Sequence, residues 1–264
     1  MWNPYDELPQ KQRQLLGVAA VAGVLVLWSI VSGLELVAKA KLPAPWHVGE
    51  AFLQLLSYNE AKGERLLVVA TLYSVARVAA AGVVVIVVGL PIGILMGAST
   101  RVNAVLSPLV DPFRSAPIVA VLPILVMWLG IGEEMKVVFL SLGAVVYLIP
   151  MVRDAIQAVP SSYWISARDL GATQWEAVRL SVIPMAMPRI ADAIIVAISV
   201  MWTYITVAEY VNAQKGLGQL IQNARRFSAM DQVFVGIIVI IGLALVTYSL
   251  MTAIKRKLYP WEAQ

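Results

Sequence analysis

Ile165-Ser166-Ala167-Arg168-Asp169-Leu170-Gly171-Ala172, with Ile183-Pro184 further on, is a short charged island set between long apolar runs. Its pattern predicts an exposed helix–turn–helix. Ser161 and Ser162 are good helix starters, and Gly171 reads as a helix stop or tight turn. Arg168, Asp169, Glu176 and Arg179 are expected to face water. A polar helix pair wedged between membrane spans offers a docking surface to a soluble partner.

Outward from this island the apolar runs decide the fold class. They fall at about 15–37, 66–97, 105–130, 135–157, 186–211 and 233–254, each near the roughly 20 residues that a bilayer demands. Composition agrees: 60% of the chain is hydrophobic, only 14% is charged, and the mean hydropathy is +0.79, well above a soluble domain. We read an all-α integral membrane protein with six transmembrane helices, forming a single domain over residues 1–264. Lys11 and Arg13 precede the first run, and Lys255-Arg256-Lys257 follow the last. An even number of spans puts both termini on one side, and the excess of positive charge there makes that side the cytoplasm. Arg101 and the 158–184 island then also face the cytoplasm. The outer loops still hold Lys39, Lys41, Lys62, Arg65, Lys215, Arg225 and Arg226, so the bias is incomplete. Asp6 and Glu7, followed by a run long enough to span, argue for a retained helix rather than a cleaved leader.

The same residues exclude most chemistry. Cysteine is absent and His47 is the single histidine, which removes disulfides, thiolate metal sites and histidine clusters. With no companion His or Cys, His47 is expected to be interfacial rather than a ligand. No phosphate-cradling G-x-x-x-x-G-K-[ST] occurs; Gly89-Leu90-Pro91-Ile92-Gly93 is an apolar membrane segment. Asp111, Asp154, Asp192 and Glu209 do not converge by spacing into a catalytic cluster. The modest net charge of +4 reports topology and gives no reason to invoke nucleic acid. The chain is therefore read as no enzyme: it shapes a path through the bilayer but needs an outside source of energy.

Three segments carry the path reading. In the third run Pro108, Pro112, Pro117 and Pro123 surround Asp111 and Arg114. Each proline removes a donor and frees a carbonyl, which lipid cannot satisfy, so the element either borders a watery path or is a kinked helix with Asp111 and Arg114 paired. Counted from Val105 along a straight helix, Arg114 would lie roughly 13 Å deep. In the fifth run Ser199, Thr203, Thr206 and Tyr210 recur at helical spacing and suit helix–helix contacts, whereas Trp202 and Tyr204 suit a gate. Glu209 either caps the path or pairs with Lys215, Arg225 or Arg226, and Arg77 is open to both kinds of role. Before the second run, Leu42-Pro43-Ala44-Pro45-Trp46 leads into a predicted interfacial helix over 47–58, with Val48, Phe52, Leu55 and Leu56 on one face. It is either a plain loop helix or a contact for a binding protein.

The island resembles the EAA loop of permease subunits of bacterial ABC importers, E-A-A-x3-G-x9-I-x-L-P. Ala167, Gly171 and Pro184 match, Ile183 replaces the Leu conservatively, and Ile165, Ser166 and Ser181 depart. Gly130-Ile131-Gly132-Glu133, Ala208-Glu209 and Gly216-Leu217-Gly218-Gln219-Leu220-Ile221, together with Leu42-Pro43-Ala44-Pro45, Leu122-Pro123 and Trp261, are similar to one subgroup of these permeases. That subgroup handles taurine, other aliphatic sulfonates, nitrate, bicarbonate and thiamine-precursor pyrimidines. The resemblance implies a type I ABC-importer-like permease of the bacterial inner membrane. Ser166, Ala167, Arg168, Asp169, Gly171, Ala172, Ile183 and Pro184 would couple it to two cytoplasmic ATPase subunits, which hold the ATP and Mg. A second permease copy and a periplasmic binding protein would complete the assembly. Asp111, Arg114, Pro117, Trp202, Tyr204 and Glu209 are the candidate path residues for a small anionic solute. An ion-gradient-driven secondary transporter is the alternative, but it predicts an internal repeat that the sequence does not display.

Overall fold

The computed structural model describes residues 9–38, 40–60, 63–211 and 213–263; Asp6, Glu7, Lys39 and Lys62, which entered the topology argument, lie outside them. Apart from an isolated bridge between Asn59 and Glu64, the regular structure of the described residues is helical. The chain divides into two compact units, residues 1–67 with 221–237 and residues 68–220 with 238–264.

In the first unit α1 (Gln10–Gly33) is, beyond its polar start at 10–14, apolar on nearly every side and exposed along most of its length, as suits a helix solvated by lipid. One fixed point is Trp28, whose Nε1 donates to the Pro43 carbonyl at 3.0 Å and whose indole stacks on Phe234 at 5.6 Å. The loop helix α2 spans Pro45–Leu56, two residues ahead of its expected place. Proline costs nothing in a first turn, where its missing donor would be unpaired anyway. The packed face also differs from the expected one: Val48, Ala51 and Leu55 are buried, whereas Phe52 and Leu56 stay exposed.

The second unit contains most of α3 (Leu66–Ala98), then α4 (Thr100–Val110), α5 (Leu122–Leu129), α6 (Glu133–Gln157), α7 (Ser161–Asp169), α8 (Gln174–Ala177) and α9 (Ile183–Tyr210), the start of α10 (Leu217–Arg226), and the end of α11 (Met230–Leu258). Among the described residues five helical stretches are long and apolar enough to cross a membrane. A sixth is possible only as a bent pair, Thr100–Arg114 with Ile118–Leu129, which turns by 96°. The run at 105–130 is thus not one helix. Two 3₁₀ turns, Asp111–Arg114 and Ile118–Val121, flank the break, with Pro112 opening the first and Pro117 preceding the second. The helix that carries the fifth span also starts earlier than expected, at Gln174. A π turn over Val178–Val182 joins α8 to α9 without interruption, and Ile183 N–H bonds Val178 O. Pro184 supplies a cause: it has no N–H for the Leu180 carbonyl, and its ring crowds that group.

Close packing sets the core. Phe139, Leu140, Ala144, Leu148 and Val152 of α6 are buried, as are Ala186, Ile190, Ala193, Ala197, Met201 and Ile205 of α9. Small residues every three or four positions let helix backbones approach in lipid, where no hydrophobic drive joins them. At Gly93 and Gly97 of α3 this reaches its limit: a Cβ would stand 2.7 Å from Val152 and from Ile156, respectively.

Candidate functional site

The island forms a short helix ended by a left-handed residue. Gly171 has φ +90°, its N–H bonds Arg168 O at 3.0 Å, and Ala172 N–H bonds Ala167 O at 3.1 Å. These two bonds close α7 in a Schellman motif that satisfies two of its terminal carbonyls. Thr173 then caps α8, exchanging bonds with Glu176 in a capping box. Ser166, Arg168 and Asp169 are exposed and Ala167 and Ala172 half-buried; Tyr163, Trp164, Ile165, Leu170 and Trp175 also face outward. Ser181 Oγ donates to Tyr163 O at 3.1 Å and ties the π turn to α7. Ile183 and Pro184 lie beyond that turn, at the start of α9. This surface is apolar, aromatic and charged at once, the mixture expected of a protein interface.

The candidate path residues do not gather at one point. Asp111 accepts from Arg153 Nη1 at 2.9 and 3.1 Å and so is not paired with Arg114, which is exposed in the same 3₁₀ turn. Arg153 lies near the C-terminal end of α6, so Asp111 is level with that end of the helix. The depth of roughly 13 Å reckoned for Arg114 assumed a helix climbing straight through the bilayer, whereas Asp111 in the same turn sits beside the end of α6. Pro117 is exposed at the break. Trp202 is buried, its Nε1 without a hydrogen-bond partner among the described residues, and Tyr204 is half-buried, edge-on to Phe139 at 5.9 Å. His47 borders a cavity with Glu50, three residues on in the same helix, and with Asp231, which spacing alone did not bring near it.

Glu209 is fully buried, and its partner is Arg77. Arg77 Nη1 donates to Glu209 Oε1 and to the Lys215 carbonyl, both at 2.7 Å. Ser74 Oγ donates to the same carboxylate at 2.7 Å, and Gly218 N–H reaches Oε2 at 2.7 Å. The other edge of Arg77 grips Glu133, Nε at 2.6 Å and Nη2 at 2.8 Å, and Lys136 Nζ adds a bond to Glu133 at 2.9 Å. Sequence reasoning missed this cluster, although an arginine inside an apolar span signals that a counter-charge must lie close. The cluster explains two of the quoted motifs: Glu133 closes G-I-G-E, and G-L-G supplies the backbone that wraps Glu209.

Residues 89–259 match the family described as binding-protein-dependent transport system inner membrane component. The chain belongs to that family. This ABC importer permease is 30% identical, over 97% of its length and 93% of the relative's, to the taurine transport system permease protein TauC of Escherichia coli. It is 29% identical to the putative aliphatic sulfonates transport permease protein SsuC of Bacillus subtilis, over 93% of its own length and 87% of that protein's. Among solved structures, a chain of the inward-facing MetNI methionine ABC transporter matches with a TM-score of 0.65 at 24% identity, covering 73% of the permease and 95% of that chain. The permease is thus a multi-pass, all-helical membrane protein with the fold of known ABC importer subunits.

Proposed function

We propose that this permease forms half of the path for a small anionic solute of the sulfonate, nitrate or bicarbonate type, delivered by a periplasmic binding protein. Two copies of the chain pair, each offering α7 and α8 to one cytoplasmic ATP-binding subunit. ATP and Mg reside on those partners, which perform the hydrolysis. Both termini lie in the cytoplasm, and the Arg77 cluster and α10 lie toward the outer face. The exposed α7, ended at Gly171, is the observation that supports energy coupling, since a single such surface per chain calls for two chains to engage two ATPases. The substrate class rests on the similarity to the taurine and sulfonate permeases. Reconstituting the permease with its ATP-binding and binding-protein partners tests both points. ATP-dependent uptake of a sulfonate or nitrate is expected, and uptake of neutral solutes alone would reject the anion assignment.

A further inference from the structure

The Arg77 cluster holds its four charged side chains unequally. Arg77 and Lys136 side chains are 3% exposed and Glu209 is 0%, but Glu133 is 56% exposed. Glu209 is locked by Ser74, Gly218 and one edge of the guanidinium. Among the described residues Glu133 is held by cations alone: the remaining Nε–Nη2 edge of Arg77 and the Lys136 ammonium. It stands on the first turn of α6 beside a cavity of ≈ 330 Å³ that Tyr73, Arg77, Gly132, Lys136 and Lys215 also line. That volume is at the small end of ligand sites. A guanidinium edge with a neighbouring ammonium is the donor set that planar or tetrahedral oxyanions take in place of a carboxylate.

We propose that Glu133 is a tethered stand-in for the transported anion. An arriving sulfonate or nitrate takes the Arg77 edge and the Lys136 ammonium while Glu133 turns out to solvent, and Glu133 returns as the anion moves on. Buried cations stripped of an anion are costly, and this exchange never leaves them bare. It also keeps binding weak, because each anion displaces an intramolecular competitor. The inference rests on the anionic-substrate reading, and its test separates the two.

The experiment is thermal unfolding of the purified full-length complex, wild type and Glu133→Ala, titrated with ethanesulfonate and with uncharged ethanesulfonamide, beside ethanesulfonate uptake by the wild type. We expect the Ala variant to unfold at lower temperature, to be restored by ethanesulfonate but not by the amide, and to bind the sulfonate about tenfold or more tightly than wild type, since the competing state is gone. Should Glu133→Ala fail to assemble, Glu133→Gln, which keeps the shape and removes the charge, is expected to show the same order. Equal responses to sulfonate and amide, or none to either, overturn the stand-in role even where wild-type uptake proceeds. Sulfonate rescue of the variant without uptake of any anion by the wild type would keep the site and overturn the substrate assignment instead.

Discussion

At Gly216 a single hydrogen atom is all the structure admits. The residue has φ +139°, and a Cβ there would stand 2.5 Å from both Arg77 Nη1 and the Glu209 carboxylate. Gly216→Ala is therefore expected to push apart a buried ion pair, a change that costs about 3–5 kcal/mol when one partner is left alone. A lowered unfolding temperature in detergent, matched by Arg77→Gln, would show it; an unchanged one would count against the pair as a structural anchor. Arg114 calls for the opposite expectation. Because Asp111 already has Arg153, removing the guanidinium orphans no carboxylate. Arg114→Gln should leave assembly intact and slow anion uptake, with Arg114→Lys keeping part of the rate, and wild-type uptake with Gln at this position would exclude a path role. At this scale the sequence was uneven evidence. Gly171 could be read from its neighbours because a helix stop is local. The partner of Glu209 could not, since Arg77 is 132 positions away and sits on α3 whereas Glu209 is on α9.

Among the elements, α7 and its stop are where coupling can be tested. A β-branched residue at Gly171 must enter a left-handed conformation at roughly 1–2 kcal/mol. Apart from its chain neighbours, no heavy atom of the described residues stands within 4 Å of its Cβ position, so the strain is in the backbone rather than in a clash. Gly171→Val is expected to insert normally while transport-linked ATPase activity falls; intact coupling would remove this turn from the dock. The broken element between α4 and α5 shows how far a proline pattern can be read. Four prolines announce that a helix must fail between Pro108 and Pro123, because the donors are missing from the chain itself. The 96° turn is beyond their reach, since its direction depends on contacts such as Asp111 with Arg153. Similarly, the face of α2 was misjudged by giving weight to Phe52 and Leu56 and none to Ala51. Volume outside the helix, not hydrophobicity, decides which side can pack closely.

For the whole molecule, five of the six apolar runs could be located from length and composition, because the bilayer imposes the same demand on each. The join between dock and fifth crossing was hidden, since Pro184 suggested a boundary where the chain runs on. That join has a phase. A π turn holds one residue more than the α turn it replaces, so Val178–Val182 behaves as a one-residue insertion between α8 and α9. Deleting one residue there, with Pro184→Ala to remove the cause of the turn, should restore an ordinary helix with both flanks still aligned, and uptake should survive. Adding one should turn α8 by about 100° about the helix axis and point the dock away from its ATPase. Uptake that survives the deletion and fails with the insertion would show that the permease is driven as a crank, by torque along a continuous shaft; equal tolerance of both would mean that the dock hangs on a loose tether.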